Sequence, residues 1–186
     1  MDNKTYISVV IPVYLAENII DELVKQLMQV LLELNEKYEI VLVEDGSSDN
    51  SWAKIKEKCS TDKRIKGIKL SKNFGQHYAI TAGLHESKGD FVIVMDCDLQ
   101  DNPKYISDLL NKSKEGFDIV YTVKNNRKFG VIKNFIAHAF HKIFTWLIHD
   151  KTLSSSYKVG SFSLITRKVV RAFCNYGEYQ RAYLPI

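Results

Sequence analysis

The chain has 186 residues, within the range of one domain, and 45% of them are hydrophobic, which supports a substantial core and excludes a disordered chain. Its 26 basic and 22 acidic side chains leave a formal net charge of +4. The charges are spread out, without the clustered stripe of a nucleic-acid footprint, and a modest positive balance suits an anionic small molecule or an anionic membrane surface.

The N-terminus leads directly into a strand-like run without a signal-peptide pattern, and no run reaches the ~18–20 apolar residues of a membrane span. Tyr6-Ile7-Ser8-Val9-Val10-Ile11-Pro12 reads as a mostly buried strand whose hydrogen-bond ladder Pro12 ends. Over residues 17–36, Ile19, Ile20, Leu23, Val24, Leu27, Val30, Leu31 and Leu34 recur at helical spacing. A second buried strand over 39–43 ends at Glu44-Asp45-Gly46-Ser47-Ser48-Asp49, a turn with a helix cap. The pattern then repeats: a polar helix over 51–59, a strand over 65–70, a turn at Asn73-Phe74-Gly75, a helix over 76–86 and a strand over 91–95. Pro103 opens a further helix to Lys114, and 118–121 is another strand.

Residues 129–149 form an amphipathic pattern with a broad aromatic face, including Phe135, Phe140 and Trp146, interleaved with Lys128, Lys133 and Lys142. A core-covering helix is the default for such a pattern, and a helix lying in a membrane interface is the alternative. His138 and His141 stand three apart without a carboxylate partner and read as helix-face residues. Beyond Ser154-Ser155-Ser156, residues 159–165 read as a strand, and Thr166 starts a last helix. The three cysteines, Cys59, Cys97 and Cys174, lack metal-ligand spacing and are odd in number, which fits unpaired thiols in a reducing cytoplasm.

Strands alternating with helices predict an α/β fold with a mostly parallel sheet covered on both faces. Ligands of such sheets bind outside the carboxyl ends of the strands. Asp45 stands at one such end, and Asp96 and Asp98 stand at another, after Phe91-Val92-Ile93-Val94. In extended chain, alternate side chains share a face, so Asp96 and Asp98 are expected to converge with Cys97 turned away. Converging carboxylates repel unless a proton or cation joins them. Hard oxygen ligands favour Mg2+ or Mn2+, with the phosphates of a substrate sharing the ion. Asp-x-Asp also occurs in ordinary turns, where aspartate accepts backbone hydrogen bonds.

Taken in order, these segments resemble the family 2 glycosyltransferases of the GT-A fold. The branch holding dolichyl-phosphate mannose synthase and the bacterial polyprenyl-phosphate sugar transferases is the most similar. The matching segments are Val9-Val10-Ile11-Pro12-Val13-Tyr14 with Glu17-Asn18, Val43 to Asp49, Asn73-Phe74-Gly75, Ala82-Gly83-Leu84, Gly89-Asp90 and Met95 to Pro103. The resemblance implies one GT-A catalytic domain over residues 1–186, Rossmann-like, with helices on both faces. It implies a nucleotide-diphosphate sugar donor, with base and ribose at Pro12, Tyr14, Glu17 and Asp45. It places Mg2+ or Mn2+ on Asp96, Asp98 and Gln100, gives Asp96 and Asp98 the catalytic role, and sets Lys124 and Arg127 against the donor diphosphate. The implied acceptor is a lipid phosphate or a glycan, in cell-surface polysaccharide or glycolipid synthesis. The implied location is the cytoplasm, with peripheral contact at the cytoplasmic face of a membrane.

Loss of the glycosyl–phosphate bond develops negative charge on the nucleoside diphosphate, which a divalent cation and basic groups stabilise. An acceptor attacking from the opposite face inverts the anomeric centre. A hydroxyl acceptor needs a general base, whereas a lipid phosphate is already anionic. The chain departs from its branch at Gly160-Ser161-Phe162-Ser163, where relatives often carry a pattern like Gly-Asp-Phe-Arg, and at Glu44, where aspartate is more usual. Relatives commonly continue into further helices beyond the point matching Ile186, which leaves a truncated, partial or compact member open. Two other readings compete. One is a nucleotide-sugar-binding module without turnover, motivated by Ser161 and Ser163. The other is a Mg2+-dependent phosphatase of the haloacid dehalogenase type, where the Asp-x-Asp pair follows the first strand and the Asp45-Gly46-Ser47 turn has no role.

Overall fold

Eight apolar or small residues in a row can be buried on both sides only in the middle of a layered sheet, and β1 (Tyr6–Val13) occupies that place. The computed structural model describes residues 4–123 and 159–175. After β1 come α1 (Ile20–Glu33), β2 (Lys37–Glu44), α2 (Ser51–Thr61), β3 (Ile65–Lys69), α3 (Gln76–Glu86) and β4 (Phe91–Val94). A single 3-10 turn, Pro103–Tyr105, runs into α4 (Ile106–Lys114), followed by β5 (Ile119–Val123), β6 (Val159–Thr166) and α5 (Arg167–Asn175). The strands lie in the order β3-β2-β1-β4-β6-β5. The first four neighbours pair in parallel, and β6 runs against both β4 and β5. The sheet is therefore mostly parallel, with one reversed strand that the alternating pattern did not announce.

Two cores follow from the two-residue period of the strands. Ile7, Val9, Ile11 and Val13 of β1 join Ile40 and Leu42 of β2 under α1, α2 and α4. Val10, Val41, Val43, Val92 and Val94 face the other way, under α3 and α5. Helix α1 contributes Ile20, Leu23, Val24, Leu27 and Leu31, all at 3% exposure or less, so each is worth about 1.5–3 kcal/mol of burial.

Several boundaries differ from expectation for local reasons. Pro12 does not end β1, because Pro12 still faces Val43 and Val13 faces Glu44. Val10 O accepts from Met95 N on the β4 side, and Val13 O accepts from Asp45 N on the β2 side. Pro12 therefore turns its missing N–H toward β4, which has already ended, and no ladder bond is lost. Helix α1 begins at Ile20 rather than near Glu17, because residues 16–19 form a turn in which Ile19 N and Ile20 N both donate to Ala16 O. Lys124, Arg127 and the 129–149 segment, including His138 and His141, lie outside the described residues. Among the described residues no helix is long and apolar enough to cross a membrane.

A buried charge sits near the amino end of the sheet. Glu39 of β2 is 1% exposed, accepts from Ser8 Oγ at 2.7 Å and Lys88 N at 2.6 Å, and pairs with Lys66 Nζ of β3 at 2.6 Å. Burial alone would raise its carboxyl, but Lys66, Ser8 and the Lys88 amide outweigh burial and hold it below the usual carboxylate range. Burial first, and then the Glu39 charge and hydrogen bond, push the Tyr6 phenol up to about 12. Every charge of this cluster is matched, which marks it as architecture.

Candidate active site

Loops from four strands meet over the carboxyl ends of the parallel sheet and enclose a cavity of about 300 Å³. Pro12, Val13 and Tyr14 line it from β1, Asp45 from β2, Asn73, Gly75 and Gln76 from the loop before α3, and Asp96, Cys97 and Asp98 from β4. The chain leaves β1 toward β2 on one side, while β4 occupies the other, so the cavity lies at the topological switch point of the sheet.

The β1–α1 loop is fixed by the β2–α2 loop. Leu15 N donates to Ser47 Oγ at 3.0 Å, Ala16 N to Ser51 Oγ at 2.9 Å, and Glu17 N to Asp49 Oδ2 at 3.1 Å. Asn50 N returns a bond to Glu17 Oε2 at 2.7 Å. The Ser47-Ser48-Asp49 run thus does more than cap α2: it stitches the two loops together. Glu17 serves in this seam and does not line the cavity. Leu15 is held at φ 51°, a left-handed backbone costly for a leucine, directly after the cavity residue Tyr14.

Asp45 is 3% exposed, and both of its oxygens are engaged. Oδ1 accepts from Phe74 N at 2.8 Å and Oδ2 from Gly75 N at 2.9 Å. It therefore sets the turn that launches α3. Each oxygen keeps a second lone pair for a ligand, since a carboxylate has about four acceptor sites. Gly75, at φ 97°, precedes α3 without any capping side chain. The positive end of α3 thus opens at the cavity, where it favours an anion.

The Asp-x-Asp segment departs from expectation. Strand β4 ends at Val94, and residues 97–98 form a turn, so strand alternation no longer applies. Cys97 borders the cavity beside Asp96 and Asp98 and also packs against the core that lies under α1, α2 and α4. Burial pushes its thiol up, the Tyr14 backbone opposes this, and Asp96 and Asp98 add to the rise. A neutral thiol is no nucleophile at neutral pH. Asp96 Oδ1 accepts from Gln76 Nε2 at 2.6 Å, and Oδ2 accepts from Ser161 Oγ at 2.5 Å. Asp98 is exposed and its Oδ1 accepts from Gln100 N at 3.0 Å. Gln100 enters through its backbone and does not line the cavity. Leu99, at φ 58°, is a second non-glycine residue in the left-handed region beside the site.

Two carboxylates at a shared cavity fit Mg2+ or Mn2+, which characteristically takes one or two protein carboxylates and completes its shell with phosphate and water oxygens. Among the described residues no group of three His, Cys, Asp or Glu side chains is arranged to hold a metal ion by itself, so they form no all-protein cage.

Of the residues singled out from sequence, Pro12, Tyr14, Asp45, Asp96 and Asp98 come together here, while Glu17 and Gln100 stand aside and Lys124 and Arg127 lie outside the described residues. Sequence reading missed Gln76 and the contact of Ser161. Gln76 was detectable as the first helical residue after Gly75. The position of Ser161 depends on β6 running backwards. Val94 pairs with Ser163 in antiparallel register, so two residues on from Val94 and two back from Ser163 sets Asp96 opposite Ser161.

Residues 8–173 match the profile described as Glycosyl transferase family 2. An uncharacterised glycosyltransferase of Synechocystis sp. is 36% identical over 176 residues, which cover 94% of this chain and 54% of that protein. An undecaprenyl-phosphate 4-deoxy-4-formamido-L-arabinose transferase of Shewanella sediminis is 38% identical over 143 residues, covering 76% of this chain and 43% of that one. The chain thus spans about half, or less, of the length of these relatives. In fold it is similar to a mannosyltransferase of Pyrobaculum calidifontis solved with GDP-Man and Mn2+. That likeness has a TM-score of 0.62 at 16% identity and covers 92% of this chain and 47% of the other.

Proposed function

Because the chain belongs to glycosyl transferase family 2 and has the GT-A fold, we propose that it acts as a single catalytic domain. In this reading it moves a sugar, with inversion, from a nucleotide-diphosphate sugar to a polyprenyl-phosphate acceptor. The observation that carries the reading is that Asp45, Asp96 and Asp98, from the ends of two strands, line one cavity at the switch point of the sheet.

Pro12, Tyr14 and Asp45, from the ends of β1 and β2, receive the nucleoside. Asp45 offers its remaining lone pairs to base or ribose, and Tyr14, 48% exposed, offers a ring face. Asp96 and Asp98 hold the divalent cation, which when bound offsets the charge that builds on the departing diphosphate. The α3 N-terminus at Gly75 adds favourable dipole at the same place. Relatives named for undecaprenyl phosphate support this choice of acceptor. A phosphate oxygen attacks without prior deprotonation, so no general base is required of the chain. Such an acceptor sits in a bilayer, and the reading therefore includes peripheral contact with a membrane face.

The test uses the native full-length protein with Mn2+, undecaprenyl phosphate in detergent and a panel of UDP-, GDP- and dTDP-sugars. Mass spectrometry of the lipid fraction is expected to show a glycosyl phospholipid for one donor. Donor binding by calorimetry with no transfer to any lipid or glycan acceptor would instead support a binding module. Phosphate release from simple phosphomonoesters would support the phosphatase.

A further inference from the structure

Asp96 is gripped differently from its neighbour Asp98. Gln76, which lines the cavity, supplies its side-chain amide to Oδ1 at 2.6 Å, and Ser161 of β6 supplies its hydroxyl to Oδ2 at 2.5 Å. The grip comes from α3 on one side and β6 on the other. Asp98 is exposed, and among the described residues its Oδ1 is tethered by the amide of its own loop, at Gln100. A carboxylate turns about a soft terminal torsion, and one donor on each oxygen fixes both its plane and its direction. Both donors are neutral, so neither cancels the charge that attracts the ion. A lysine or arginine in either place would compete with it.

We propose that Gln76 and Ser161 are positioning residues that hold the Asp96 carboxylate in the orientation a divalent cation requires. The proposal rests on the metal-assisted donor binding put forward above and deepens it. It also gives Ser161 a role: a short hydroxyl on the reversed strand meets Asp96 where a longer acidic side chain would bring like charge against it.

Outer partners of ligating carboxylates characteristically tune metal affinity by about 10–100-fold. The test is a Mn2+ titration followed by the electron paramagnetic resonance signal of free Mn2+, with UDP and, separately, GDP present. Far-UV circular dichroism and melting temperature establish that each variant is folded. Gln76→Met keeps the length without the donor, and Ser161→Ala removes the hydroxyl. Each is expected to weaken Mn2+ by about 10–100-fold. Ser161→Thr restores the hydroxyl and is expected to return affinity to within about threefold of the parent, a recovery that packing alone would not produce. Asp98→Ala sets the floor. Parent-like affinity in both Gln76→Met and Ser161→Ala, with binding lost in Asp98→Ala, overturns the positioning role and leaves the metal site standing. Ser161→Thr binding as weakly as Ser161→Ala overturns the hydroxyl's part. No Mn2+ binding by the parent with either nucleotide overturns the metal site itself and the positioning role with it.

Discussion

Replacing Gly46 by alanine probes how the cavity is braced from behind. Gly46 follows Asp45 at the end of β2 with φ 70°, and a Cβ there would stand 2.3 Å from Asn73 N, 2.4 Å from the Lys72 carbonyl carbon and 2.9 Å from Lys72 Cα. All three are backbone atoms, so no side chain can swing aside. The left-handed conformation alone costs a non-glycine residue about 1–2 kcal/mol. Pushing two backbone segments apart adds about 1–3 kcal/mol. The sum is about 2–5 kcal/mol, which for a chain of this size lowers the melting temperature by about 4–20 °C. The displaced segment is the one whose Phe74 and Gly75 amides bind Asp45, so nucleotide binding should fall as well. Gly75→Ala is the control. Its φ of 97° brings backbone strain of about 1–3 kcal/mol, but nothing lies within 4 Å of the added carbon. Thermal melts with and without UDP and GDP decide the matter. A Gly46→Ala protein melting within a degree of the parent would refute the argument from close approach.

Asp45→Asn keeps one acceptor but turns an amide N–H toward either Phe74 N or Gly75 N, at a cost of about 1.5–3 kcal/mol read from urea unfolding. By calorimetry it should weaken a nucleoside diphosphate and its sugar conjugate equally, since both contain the nucleoside; weakening of the conjugate alone would move Asp45 to the sugar. Glu39 should govern acid stability. Its carboxyl is held low in the fold, so its contribution is complete above the unfolded value of about 4.3 and disappears as pH falls through the lower folded value. Glu39→Gln should therefore be less stable than the parent at pH 7, with the gap closing below about pH 4 in urea midpoints; parallel curves would contradict this.

The layered architecture was legible because β1, β2 and β4 are short unbroken apolar runs, and α1 carries apolar residues at helical spacing. The acidic strand ends were legible for a related reason: Asp45, Asp96 and Asp98 follow those runs at once, and chain direction puts all such ends on one side of a parallel sheet. What escaped depends on pairings distant in sequence. Strand direction is not encoded in a strand's own pattern, so reversed β6, and with it the meeting of Ser161 and Asp96 across 65 positions, could not be read locally. Glu17 was misjudged in another way. Helical spacing suggested that it opened α1, whereas its carboxylate is needed 33 positions away at Asn50 N.

The two acidic ends are joined through the chain between them. Asp45 accepts the Phe74 and Gly75 amides; Gln76 is the next residue, and its side chain reaches Asp96, which Ser161 holds from β6. The string runs from the end of β2, through the head of α3 and the end of β4, to the start of β6. Each link is short, and two of the carboxylates on it use both oxygens. Movement of the Asn73-Phe74-Gly75 turn therefore carries Gln76 with it and releases one oxygen of Asp96. Asp45 and Asp96 of the cavity are thus both tied to a single loop of four residues, and Leu15 and Leu99, next after the cavity residues Tyr14 and Asp98, hold the left-handed backbone conformations beside the site.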